Sequence, residues 1–215
     1  MAAATPKTLS DALLKFLSLT PDFFILVRRS YDDWFFKQYY RNFRKKVDIK
    51  NQKVSLQEHQ TFGSDLAVSR FVIDRCNGKV RDINGTWISK YNDLPKSFQK
   101  NFKITYIDAS NSGLITEGID NFMLLDDLES IDLSKNKELD DFACDQLSRQ
   151  FRTSNKLKEV NLSFNPYISI YGLDILFRIP SIKRICAVET MASSHEQIEV
   201  FKAAAAAERN CEVVV

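Results

Sequence analysis

An α/β fold of stacked strand–turn–helix units is what this sequence predicts, on three observations. The stretches Leu128-Glu-Ser-Ile131-Asp-Leu133-Ser-Lys-Asn136 and Leu157-Lys-Glu-Val160-Asn-Leu162-Ser-Phe-Asn165 share one spelling, Leu-x-x-Ile/Val-x-Leu-x-x-Asn. Weaker copies flank them: Ile104-Thr-Tyr-Ile107-Asp-Ala109-Ser-Asn-Ser112 upstream, and Ile182-Lys-Arg-Ile185-Cys-Ala187 downstream, after which the pattern fades. The four copies start at 104, 128, 157 and 182, at steps of 24, 29 and 25 residues. Helix-like apolar stretches follow the first three copies, over 116–125, 140–151 and 170–179.

That period is the roughly 20–29 residues of a leucine-rich repeat, whose conserved half is a strand and its turn. Within each copy the apolar places point into the core, and the alternating Ser130, Asp132, Glu159 and Asn161 face outward. Asparagine at the turn is suited to bonding local backbone groups. A stack of such units works by what its surface holds.

The composition suits one domain with extras: 215 residues, 44% hydrophobic and 27% charged. A net charge of +2 argues against a nucleic-acid binder, but the charge is uneven. Residues 1–60 hold 11 Lys and Arg against 6 Asp and Glu, and the rest hold 19 against 22. A basic arm on a slightly acidic body suits contact with an acidic partner or a lipid surface.

Taken in order, residues 1–63 form a helical, basic and aromatic arm, and 64–215 a cap plus the repeats. The arm opens on a short amphipathic helix at 8–19, ended by Pro21, with the composition of a weak mitochondrial presequence. The apolar run 23–27 is far short of the ~20 residues that span a bilayer. Over 31–46 a helix puts Tyr31, Trp34, Phe35, Tyr39 and Phe43 on one face and Lys37, Arg41, Arg44 and Lys45 on another. Rings beside cations anchor a helix on a protein partner or at a membrane interface; simple packing against the body is the bland alternative. Trp34, Phe35, Tyr39, Arg41 and Arg44 are the arm's candidate contact residues. Residues 48–64 read as a polar linker closed by Gly63.

Ser64 then caps a helix to Cys76, and 79–83 reads as a short strand. Trp87 and Tyr91 are expected to cover the open end of the stack, since a repeat array needs caps. The tail at 202–207 continues a helix through its alanines, and 211–215 supplies a last edge strand.

A family likeness runs through 64–190. The ordered set is Ala67-Val-Ser-Arg-Phe-Val-Ile-Asp-Arg-Cys76, Gly78-Lys-Val-Arg81, Trp87 four residues before Tyr91-Asn-Asp-Leu-Pro95, Tyr106-Ile-Asp-Ala109, Gly113, and Gly118-Ile-Asp120. It resembles the mitochondrial ATP synthase subunit s family, which contains coupling factor B and the distal membrane-arm assembly protein of respiratory complex I. The resemblance implies a helical cap on a few cysteine-type leucine-rich repeats. In the coupling-factor branch it also implies a Cys-x-Cys dithiol directly after the strand that here reads Ile131-Asp-Leu133. This sequence has Ser134 and Asn136 there, which offer no thiolate. The long arm, too, fits the assembly branch better.

Chemistry is not written into the chain. Six dispersed glycines make no phosphate loop, and Cys76, Cys144, Cys186 and Cys211 have no zinc spacing with His59 or His195. Cys76 and Cys144 read as small core residues, and both histidines as solvent-facing. Asp126-Asp127 and Asp140-Asp141 sit where acids complement a helix start.

The expectation is therefore a non-enzyme without metal or cofactor: a scaffold for assembling complex I, in the mitochondrial matrix and peripheral to the inner membrane. Its partners would be protein subunits of a respiratory complex, with no nucleic acid. Asp108, Asp132, Glu159 and Asn161 are the second set of contact residues, on the sheet. An ATP synthase subunit s-like component is the alternative, and an adaptor for ubiquitin ligases the third reading.

Overall fold

The structure, a computed structural model, describes the backbone of residues 33–215 and side chains from Asn42 onward. The chain divides into two units, Met1–Val47 and Asp48–Val215. Of the first unit, the described part is most of helix α1 (Asp33–Gln52), which ends in the second. The helix expected at 8–19, the run 23–27 and the side chains of Trp34, Phe35, Tyr39 and Arg41 lie outside the described residues. Arg44, also on α1, is exposed.

The second unit is a mixed α/β fold around one seven-stranded sheet, ordered β2-β1-β3-β4-β5-β6-β7. It begins with α2 (Leu56–Phe62) and α3 (Ser64–Cys76). A hairpin of β1 (Lys79–Asp82) and β2 (Trp87–Ile88) lies antiparallel against β3 (Ile104–Asp108). From there β4 (Ser130–Asp132), β5 (Glu159–Asn161), β6 (Arg184–Cys186) and β7 (Glu212–Val214) are added in parallel. The crossovers carry α4 (Asp141–Gln150), α5 (Ile170–Leu176) and α6 (Ile198–Arg209), and a 3-10 turn at Thr116–Asn121.

The register explains the core. Val80, Ile107, Ile131, Val160, Ile185 and Val213 are paired neighbours across six strands, and all are buried. Branched side chains in such a row pack against one another on the pleated surface. Ala109, Leu133, Leu162 and Ala187 form the next buried row, and Leu128, Leu157 and Ile182 are likewise fully buried.

The turns repeat as closely as the strands. Asn111, Lys135, Phe164 and Glu189 all have positive φ, between 49° and 63°. Each precedes the place spelt Asn in the two strong copies. Asn136 is buried; its Oδ1 accepts from the Ser112 and Leu114 amides at 3.0 and 3.1 Å, and its Nδ2 donates to the Ala109 and Leu133 carbonyls at 2.8 and 3.0 Å. Asn165 accepts from the Asn136 amide at 2.6 Å and donates to the Leu133 carbonyl. Ser112 fills the place by donating to the Ala109 carbonyl. The pattern also does not fade at Ala187: Thr190 stands at the fourth place and donates to that residue's carbonyl at 2.7 Å.

Several expectations are corrected. Residues 48–64 are helical for the most part, because α1 runs on to Gln52 and Ser55 caps α2. Gln52 is what fixes the end of α1. It is buried, takes the Ile115 amide at 3.0 Å and donates to the Gly113 carbonyl at 2.9 Å. The helix expected over 116–125 is only a 3-10 turn, with Leu124 at positive φ. The helix expected over 170–179 stops at Leu176, three residues before the residue that Pro180 pushes away from helical geometry. Leu66, Val68, Phe71 and Ile88 close the end of the core, whereas Trp87 and Tyr91 are about half exposed. Ser130 is buried at the sheet surface, its hydroxyl 3.4 Å from the Glu159 carboxylate. Both histidines are half-buried: His59 contacts the Ser64 hydroxyl, and His195 accepts from the Gln197 amide.

Candidate functional site

Because strand side chains alternate, the two rows flanking the buried one are carried to the outer face of the sheet. The first row reads Trp87, Arg81, Tyr106, Ser130, Glu159, Arg184, Glu212. The second reads Lys79, Asp108, Asp132, Asn161, Cys186, Val214. The sheet candidates Asp108, Asp132, Glu159 and Asn161 thus share one continuous surface, three of them side by side.

Those three also hold the turns beneath them. Asp108 Oδ1 accepts from the Ser110 amide, Asp132 Oδ1 from the Ser134 amide and Asn161 Oδ1 from the Ser163 amide, at 3.1, 2.9 and 3.1 Å. This is the local bonding that Asp and Asn favour at turns. The remaining atoms form two separate lateral pairs: Asn161 Nδ2 donates to Asp132 Oδ2 at 3.1 Å, and Lys79 lies 3.3 Å from Asp108. Burial pushes the Asp108 carboxyl up, but the Ser110 hydroxyl and amide and Lys79 outweigh it and hold it below its ordinary value.

The face is graded. At its first edge Trp87 packs edge-on against Tyr106, centroids 5.1 Å apart, with Lys79 over the Trp87 ring at 4.9 Å. The centre is acidic, and burial beside Asp132, Asp108 and Glu159 lifts the Tyr106 phenol to about 12. At the far edge Arg184 lies between Glu212 and Glu159, at 2.9 and 3.8 Å.

A second exposed feature escaped the sequence reading. Phe142 and Tyr171 are each the second residue of successive helices, α4 and α5, and each is 72% exposed. Their amides are held by the caps Asp140 and Ser169, and Asp141 ties the two helix starts by accepting the Ser169 amide and hydroxyl at 2.8 and 2.6 Å. Tyr167, bridged to Asp140, is exposed as well, and so is Phe164, three residues before it in the chain. The signal was available: Phe142 and Tyr171 stand one repeat step apart where a polar residue would cost nothing.

Thiol chemistry has no support in the geometry. Cys76 and Cys144 are buried core residues, and burial raises all four thiols, Cys76 to about 12. No group of His, Cys, Asp and Glu among the described residues is placed to hold a metal ion. No helix among them is long and apolar enough to cross a membrane.

Comparison with known proteins gives relatives of two kinds: an assembly component of a membrane arm, and a mitochondrial ATP synthase subunit. The chain is similar to distal membrane arm assembly component 2 of Drosophila melanogaster, 26% identical over 171 residues that cover 76% of this chain and 59% of that protein. It is similar also to mitochondrial ATP synthase subunit s of Mus musculus, 32% identical over 111 residues, 51% of this chain and 55% of that one. The same subunit of Pongo abelii is 26% identical over 156 residues, 71% of this chain and 77% of its own. The chain thus spans 59% and 55% of the length of the fly and mouse relatives. These are the two branches that residues 64–190 resemble. No protein-family profile matches the chain.

Proposed function

We propose that this protein is a leucine-rich-repeat scaffold of the mitochondrion that holds a protein subunit while respiratory complex I is assembled. The observation that carries the reading is the outer face of the parallel sheet, where Asp108, Asp132, Asn161 and Glu159 stand half-exposed in registered rows beside an aromatic edge. Such a surface offers oriented acceptors that are already positioned by turns, so little ordering is needed when a partner binds. The relatives support the setting, since the fly protein is named for membrane-arm assembly and matches along 76% of this chain. Place of action, on this reading, is the matrix side of the inner membrane, held peripherally. The arm adds a second contact through Trp34, Phe35, Tyr39, Arg41 and Arg44. No reaction is required of it.

A subunit s-like role in ATP synthesis is the second reading, favoured by the 32% identity to the mouse protein. Against a thiol-based form of it stand Ser134 and Asn136, both buried and neither a thiol.

Depletion followed by native-gel profiling of the respiratory complexes separates the readings. Loss of assembled complex I with intact ATP synthase is the expected result; loss of ATP synthase alone would reverse the choice. Co-purification of complex I subunits with the Asp132→Lys, Glu159→Lys double variant should fail, and undiminished recovery would remove the sheet face as the contact.

A further inference from the structure

Away from the sheet face, and wholly within the second unit, the end of α1, the start of α2 and the outer side of α3 line a cleft of about 370 Å³. Small-molecule sites begin at about this size, roughly 300–1,000 Å³. Its cations are Lys50, Lys53, Arg70 and Arg75, and its acids Glu58 and Asp74. Arg75 and Asp74 pair with each other at 3.2 Å. That leaves three cations against one carboxylate, and Lys50 and Lys53 have no ion-pair partner among the described residues.

Arg70 is held in an unusual way. Its guanidinium lies over the Phe62 ring at 3.7 Å and near Tyr91 at 5.5 Å. Nη2 makes only long bonds, to the Pro95 and Lys96 carbonyls at 3.4 and 3.3 Å, and Nε is buried with no acceptor at all. A buried donor without an acceptor is costly, and a structure keeps one only where something else is gained. The rings and carbonyls orient this cation without neutralising it. Ser55 stands at the same cleft; its oxygen accepts from the Glu58 amide, which leaves its proton to donate.

From this geometry we infer that the cleft is an anion site for a phosphate monoester. The site's charge excess of two matches a dianion, and a planar guanidinium with flanking ammonium groups is the donor set that meets phosphate oxygens. Lys50 and Lys53 supply charge, Arg70 supplies direction, and the Ser55 hydroxyl supplies a fourth donor. Two sources carry that chemistry, a free phosphorylated small molecule and the exposed headgroup of phosphatidic acid in a membrane.

The test uses the full chain with two probes. Inorganic phosphate is titrated while the amide signals of Lys53, Ser55, Glu58 and Tyr91 are followed, and flotation is measured with phosphatidylcholine vesicles, with and without phosphatidic acid. Saturable shifts at these amides are expected, with roughly tenfold or greater weakening in Lys50→Gln, Lys53→Gln. Those two side chains are exposed, so the double variant should stay folded. Arg70→Lys, checked for fold by its melting curve, should weaken binding as well, because it loses the planar fork. Phosphate binding without flotation assigns a soluble ligand; flotation that needs phosphatidic acid and both lysines assigns the headgroup. Absence of both, or binding unchanged in the lysine variant, overturns the site.

Discussion

At the scale of single residues, the asparagines of the turns do the most. Buried Asn136 accepts from the amides of Ser112 and Leu114 and donates to the carbonyls of Ala109 and Leu133, which Ser112 and Asn165 also reach. Asn136→Leu keeps the branched outline, crowds the site and strands the two amides, so urea unfolding should show a loss of about 3–5 kcal/mol. A loss under ~1 kcal/mol would mean that water replaces the amide. Asp108 gives the pH dependence. Its carboxyl is held below 3.8 in the folded chain, so its contribution is complete above the unfolded value and fades as pH falls through the folded one. Asp108→Asn should therefore lower stability near neutrality, flatten the acid limb of the stability curve below about pH 4, and converge with the parent chain at the acid end. An acid limb of unchanged slope would contradict that. Both roles were half legible: the spelling marked Asn136 and Asn165, but Thr190 was missed because a hydroxyl can replace an amide that bonds only one carbonyl.

Among the described elements, the strands were the easiest to read and residues 48–62 the hardest. Strand positions follow from branched apolar residues at a spacing of two, which survives in short segments. The helical turns over 48–62 have no such stripe, since α2 buries nothing and the end of α1 is fixed by one glutamine amide. Polar anchoring of that kind leaves no periodic trace. Gln52→Ala should release the last turn of α1, seen as faster amide exchange at Ile115 and a stability loss of roughly 1–3 kcal/mol. The junction of cap and sheet is tighter. A methyl group at Gly78 would overlap the Asp108 carbonyl and come within 2.8 Å of Val72. Because backbone cannot swing aside, Gly78→Ala is expected to cost about 2–3 kcal/mol, and an unchanged melting temperature would show that α3 can shift.

For the whole molecule, the question is which surface meets a partner. The acidic sheet residues were legible from alternation alone, because one register places them together. The rim of Phe142, Tyr171, Tyr167 and Phe164 was not, since apolar residues near a helix start read as core until burial is known. The two surfaces can be separated by substitution. Phe142→Ser with Tyr171→Ser should leave the melting temperature within a few degrees, as exposed positions usually allow. If the sheet face is the contact, this variant still recovers the partner and the Asp132→Lys, Glu159→Lys variant does not. The reverse pattern would move the contact to the rim.

The unequal steps between strands acquire a meaning from the turns. Between successive registered positions on β3 to β7 the chain spends 24, 29, 25 and 28 residues, yet the outer rows stay aligned. Positive-φ residues and their bonded neighbours return every unit to the same starting line, so the surplus length is absorbed entirely on the helical side. Insertions and deletions there would lengthen or trim the back while the pattern of charges in front kept its spacing. The front behaves as a fixed typeface, on which one letter per strand can be changed without resetting the line.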